Sequence, residues 1–210
     1  MGHMNSPTTP RLTLHTRDYF YVGGLEHTSN DGEIVYGQVY VEHLTPTQVT
    51  RNTPIVFVHG NGLTGTTWLS TPDGRPGWAD YFLARGYEVE APPDLQRKRP
   101  FIFYQVYIID QPCRGRSPWH QGINGSQSTL RIQQIESRMT ATAKYNLWPE
   151  AALHTQWPGT GTKGDPIFDA FYRSIVPSFV SHVEVAELMK VAGSELLDKI
   201  GVGHSKFLSI

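Results

Sequence analysis

A single cysteine, Cys113, is the entire thiol content of this 210-residue chain. No intrachain disulfide can form, and neither a CxxC zinc site nor a disulfide framework can be drawn. Long apolar runs are missing as well. Nothing approaches the roughly 18 consecutive apolar residues that span a bilayer, and the opening MGHMNSPTTPRLTLHTRDYF has no apolar core of a signal peptide. A soluble chain with a cytoplasmic location is therefore expected. An excess of charge of one sign is also lacking: Lys plus Arg number 18 against 19 Asp plus Glu, for a net charge of −1. With no basic periodic face, neither nucleic acid nor an anionic membrane is an expected partner. The histidines show no HxH or HExxH spacing, so no metal site is expected.

What remains is a chain with 39% hydrophobic residues, long enough for one domain with a substantial core. MGHM reads as a cloning scar, and residues 1–9 as a tail outside the fold. YFYVGGLEH and EIVYGQVYVEHL, rich in aromatic and β-branched residues, flank the Asp31-Gly32 turn pair and predict an antiparallel hairpin. PIVFVHG is a short continuous apolar run and predicts a central strand buried on both faces. GWADYFLARGYEV predicts a helix leading into a strand, and VYIID, Val106 to Asp110, is the next parallel strand. Between them EAPPDLQRKRPFIFYQ carries a Pro-Pro pair and a basic cluster that a buried parallel strand cannot hold. SQSTLRIQQIESRMTATA predicts a helix with Leu130, Ile132, Ile135 and Met139 on its apolar face, and IFDAFYRSIVPSF a shorter one. HVEVAELMKVAGSELLDKIG predicts a long helix, with Val185, Leu188, Met189, Ala192, Leu196 and Ile200 as its stripe and Gly201 as its stop. Asp165 and Asp169 read as helix-start caps or a solvated face.

PIVFVHGNGLTGTTWLSTPDGRPGWADYFLARGYEV followed by VYIIDQPCRGRSPW resembles the N-terminal half of an α/β-hydrolase. It is most similar to serine esterases carrying HGxxxTGxxW…TPDGRxGWxxYF…DQxxRGRS. The resemblance implies an α/β fold in which an antiparallel hairpin precedes parallel strands with helices, over residues 10–201. It implies a carboxylic-ester hydrolase with no cofactor, acting on a small-molecule ester through an acyl-serine intermediate. In such a fold the strand ending at HG feeds a loop whose backbone N–H groups stabilise the oxyanion of acyl transfer. Gly60, Asn61 and Gly62 are the candidates for that hole, with Asn61 or Gly62 as the second donor beside the residue after the nucleophile. His59, Asp110, Arg114 and Arg116 read as structural members that hold the loop and brace the turn. Cys113, inside the same motif, has no assigned partner and reads as a small buried hydrophobe.

Two departures accompany the resemblance. Residues 89–105 interrupt the family sequence: without them the text reads GYEVYIIDQPCRGRSPW. Where relatives carry an apolar strand and then an SHSxxG elbow, VGHSKFLSI offers only the His204-Ser205 pair, so Ser205 is the candidate nucleophile, in a degenerate elbow without a following acid or histidine. Residues 202–210 therefore read as a tail foreign to the family, the fold as an incomplete one lacking its later strands, and the chain as truncated and inactive. Retained introns beginning at Val89 and Val202 account for both departures. A catalytically silent fragment that binds or regulates a full-length relative, associating through an exposed sheet edge, is the alternative function; a non-functional translation product is the other.

Overall fold

The structure, a computed structural model, describes residues 14–49, 53–84, 105–201 and 206–209, the last four through their backbone alone. Five strands form the principal sheet: β1 (His15–Val22), β4 (Val39–Pro46), β5 (Ile55–Val58), β6 (Val106–Asp110) and β9 (Lys206–Ser209), in the order β1-β4-β6-β5-β9. β1 pairs antiparallel with β4, and β4 antiparallel with β6. β6 then pairs parallel with β5, and β5 parallel with β9. The expected hairpin is present as β2 (Leu25–Ser29) and β3 (Gly32–Tyr36), a separate ribbon between β1 and β4. Gly23 at φ +69° and Gly37 at φ +76° release it from the main sheet, a backbone region that favours glycine.

β5 and β6 fill the sheet interior because their side chains are apolar on both faces, and alternation divides them between two layers. Phe57, Ile55, Ile108 and Val106 meet Trp68 and the buried face of α1 (Trp78–Ala84), namely Ala79, Phe82 and Leu83. The rings of Phe57 and Trp68 stack with centroids 4.5 Å apart. Val56, Tyr107 and Ile109 point the other way, joining Val22, Val39 and Val41 under Ala192 and Leu196 of α5 (His182–Ile200). Each large apolar side chain so buried stabilises the fold by roughly 1.5–3 kcal/mol. The predicted stripe of α5 is the face that packs, its start capped by the Ser181 hydroxyl accepting the Glu184 N–H and its end marked by Gly201 at φ +81°.

The tail supplies a correction. No strand was expected after the long helix, yet Lys206–Ser209 lies parallel to β5, with Ile55 opposite Lys206 and Val58 opposite Ser209. Counting residues ahead of His204-Ser205 left too few for a strand; the strand lies after that pair, where Phe-Leu gives a short ladder enough apolar character. The interruption expected at 89–105 lies outside the described residues except for Gln105, whose carbonyl accepts the Ile55 N–H at 2.9 Å.

Between β6 and α5 runs a segment of short elements closed by a two-residue ribbon, β7 (Gln127–Ser128) against β8 (Ser178–Phe179). One helix was expected over its first part. Instead α2 (Ile132–Ile135) passes into a π-helical turn, Glu136–Thr140, and then α3 (Thr142–Tyr145). Polar side chains divert it. The carboxylate of Glu136, a buried residue, accepts the Lys163 N–H at 2.8 Å and the Tyr145 hydroxyl at 2.5 Å, while Thr140 donates to the Gly161 carbonyl at 2.6 Å. These bonds tie the turn to a distant loop and outweigh the gain from continuing one helix. α4 (Pro166–Tyr172) follows, with Asp165 as its N-cap, accepting the Ile167 N–H at 2.9 Å. Asp169 accepts the Gly164 N–H at 3.1 Å, so of the two readings left open for these acids, caps or a solvated face, both cap backbone.

Candidate active site

β5 delivers His59 and Gly60 to the end of the sheet, and a tight turn follows. Leu63 N–H returns to the Gly60 carbonyl at 3.3 Å, with Gly62 at φ +74° in the third position, as in a type II turn. A side chain at Gly62 would also meet Leu130 Cδ1 at 2.7 Å, so both φ and space call for glycine there.

His59 is buried and holds this turn from beneath. Gln111 N–H donates to its Nε2 at 3.0 Å, which places the ring proton on Nδ1, and Nδ1–H donates to the Gly60 carbonyl at 2.9 Å. Burial, opposed in part by the bond to Gly60, holds the imidazole neutral, its pKa brought down from 6.5 to about 4. The Gln111 side-chain amide donates to the His59 carbonyl, fixing the backbone as well as the ring.

Arg114 reaches the same carbonyl from the next loop, Nη1 donating to Gly60 O at 2.9 Å. The Gly60 oxygen thus accepts from Leu63, His59 and Arg114. Because a trans peptide sets N–H opposite C=O, the Asn61 N–H faces away from those three donors. Asn61 is exposed, and among the described residues no acceptor meets its N–H. The Gly62 N–H is occupied instead: it donates to the buried Ser178 hydroxyl at 3.0 Å, and the Gly62 carbonyl accepts the Val176 N–H at 2.9 Å. Of the three candidate donors, Asn61 is available and Gly62 is not.

Asp110 and Arg116 form a second network that braces the first. The Asp110 carboxylate accepts Gly65 N–H at 2.6 Å, Arg116 N–H at 2.9 Å and Arg116 Nε at 2.8 Å. Burial raises its affinity for a proton, but the bonds from Arg116 and Gly65 outweigh burial and hold the carboxyl below the ordinary range. Arg116 continues to Glu42 at 2.6 Å and lies over the Tyr40 ring at 3.9 Å. Ser117 donates to the Asp110 carbonyl at 2.6 Å and accepts the Tyr40 N–H at 2.8 Å, joining the loop to β4. Cys113, at φ +60°, packs with Phe179, Val185 and Leu188, and burial pushes its thiol up to about 12.

Ser205 lies outside the described residues, so its relation to the loop is not part of this geometry. Its successor Lys206 stands opposite Ile55, at the start of β5, whereas His59 follows the end of that strand. Gln111, Ser178, Gly65 and Glu42 complete the networks and were not singled out from sequence. Gln111 and Gly65 were inside the quoted motifs, while Ser178 and Glu42 carried no local signal. Among the described residues no group of three or more acidic, histidine or cysteine side chains could hold a metal ion.

The mixed sheet of order β1-β4-β6-β5-β9 carries after β5 a glycine turn whose Asn61 N–H meets no acceptor among the described residues. The comparisons place particular proteins beside it. The chain is 44% identical, over 186 residues, to "Probable secreted lipase phiG" of Fungal sp. (strain ATCC 74256), covering 89% of this chain and 44% of that protein. It therefore spans under half the length of that relative. A solved structure described as a novel bacterial esterase superposes with a TM-score of 0.66 at 26% identity, covering 98% of this chain and 63% of the other. No family model matches. The expected cytoplasmic location is corrected by the first of these, since the similar lipase is named as secreted. That expectation rested on the composition of the first twenty residues, which does not fix a location. Among the described residues no helix is long and apolar enough to cross a membrane.

Proposed function

We propose that this chain carries the oxyanion-loop half of a secreted serine hydrolase acting on carboxylic esters. The observation that carries the reading is the Asn61 N–H, left without an acceptor while the carbonyl of its own peptide group is held by three donors. Such a donor, fixed before substrate arrives, suits the charge that develops on a carbonyl oxygen during acyl transfer. Leu130 and Ile175, packed over Gly62, supply an apolar flank for the acyl or alcohol group. The names of the similar lipase and esterase support the ester as substrate and the secreted location.

Ser205 is not the nucleophile in this reading. β9 begins, at Lys206, level with Ile55, while a nucleophile serving Asn61 belongs past the end of the sheet level with Val58. The test is binding of butyrate, a carboxylate probe of the oxyanion position, to the wild-type chain and Asn61→Pro by calorimetry, with hydrolysis of short-chain p-nitrophenyl esters measured beside it for the wild type and Ser205→Ala. Proline suits the second position of a type II turn and removes the N–H, together with a side chain that is exposed. Binding weakened by about tenfold in Asn61→Pro is expected, with no ester turnover in the wild type or in Ser205→Ala. Unchanged binding in Asn61→Pro overturns the donor assignment, and wild-type turnover that is lost in Ser205→Ala restores that serine as nucleophile.

A further inference from the structure

Arg114 is a buried cation without a buried anion. Only 6% of its surface is exposed, its Nε has no hydrogen-bond partner, and among the described residues no carboxylate lies within ion-pair distance of it. Its neighbour Arg116, by contrast, is paired with both Asp110 and Glu42. An unpaired guanidinium costs several kcal/mol to bury, which a merely structural brace to one carbonyl does not offset. That carbonyl, moreover, belongs to the same peptide group as the Asn61 N–H.

We propose that Arg114 is a positioning residue whose charge, delivered through the Gly60 carbonyl, polarises the Gly60–Asn61 peptide group and makes the Asn61 N–H a stronger donor to an oxyanion. Hydrogen bonds to a carbonyl draw electron density from the amide nitrogen across the peptide resonance, and a charged donor does so more than a neutral one. His59 adds a neutral donor to the same oxygen at 2.9 Å. The cation also leaves net positive potential beside the turn, and a negative charge arriving at Asn61 supplies the missing counterpart. The desolvation of Arg114, which lowers its pKa from the ordinary value, is consistent with a charge held in reserve.

The proposal rests on the oxyanion reading of Asn61, and its test separates the two. Amide spectra of the isotopically labelled full chain are recorded for the wild type, Arg114→Lys and Arg114→Met, each titrated with butyrate as a carboxylate probe. The Asn61 amide proton is expected to move upfield in Arg114→Met and by less in Arg114→Lys, and butyrate binding to weaken by about tenfold in the methionine variant. An Asn61 resonance unmoved in both variants overturns the proposal. If the resonance moves but butyrate leaves it untouched in the wild type, polarisation stands and the oxyanion reading fails. Should Arg114→Met not fold, Arg114→Lys, which keeps the charge and changes the fork to a single donor, decides by the same resonance.

Discussion

Lowering the pH from 7.5 to 4.5 should weaken the fold through His59 alone by an amount that can be worked out. Unfolded, the imidazole titrates near 6.5; folded, burial first and the Arg114 charge second, against the Gly60 bond, hold its pKa at about 4. The folded state binds its proton later, so stability is full above pH 6.5, declines as pH falls below it, and flattens beneath about 4. Between the two chosen pH values the contribution lost is about 2.5 kcal/mol. With a urea slope of about 2 kcal/mol per molar, the unfolding midpoint shifts by about 1 M from this source. Other titrating groups add their own slopes, so the comparison is with His59→Gln, whose amide can accept from Gln111 and donate to Gly60. The wild type should lose about 1 M more than the variant over this range. A difference below about 0.3 M, or a histidine resonance of His59 that titrates near 6.5, refutes the argument that the ring is held neutral by its surroundings.

Asp110→Asn should lower stability by about 3–5 kcal/mol, because it breaks a buried pair and turns an N–H₂ toward the donors of Gly65 or Arg116; urea unfolding at pH 7 measures it. Gly65→Ala should cost about 1–3 kcal/mol by the same assay, since its new methyl would sit 2.6 Å from Ile108 Cγ2 and 3.0 Å from Asp110 Oδ1. Cys113, buried with its thiol pushed up to about 12, should resist a thiol reagent at pH 8 until the chain unfolds. Rapid labelling of the native chain at that pH would contradict the burial.

The parts of this architecture that the sequence announces are those where one residue type has one physical use. The apolar runs PIVFV and VYIID could only be central strands, and they pair in parallel as β5 and β6. The α5 stripe was legible for the same reason, while for Asp165 and Asp169 the sequence left caps and a solvated face both open. The π-helical turn at Glu136–Thr140 was not, because it depends on the Lys163 N–H donating to Glu136 and the Gly161 carbonyl accepting from Thr140, more than twenty residues away, at side chains that look solvent-facing by periodicity. At the site, HGNG indicated which three N–H groups to consider. Choosing among them needed Ser178, whose hydroxyl takes the Gly62 N–H from 116 residues further along the chain. β9 was missed because its register, with Lys206 opposite Ile55, is a tertiary fact that four residues of sequence do not carry.

β9 also sets an order of assembly. A four-residue strand that must find a partner roughly 150 residues earlier in the chain gains too little from its own ladder to offset the entropy of closing so long a loop. Once α5 has packed Ala192 and Leu196 onto the sheet, however, Lys206 is only a short span beyond Gly201 and the remaining loop is small. The strand is thus conditional on the helix. Amide protons on the β9 side of β5 should then exchange with solvent sooner than those facing β6, and the turn bearing Asn61 borders the part of the sheet that closes last.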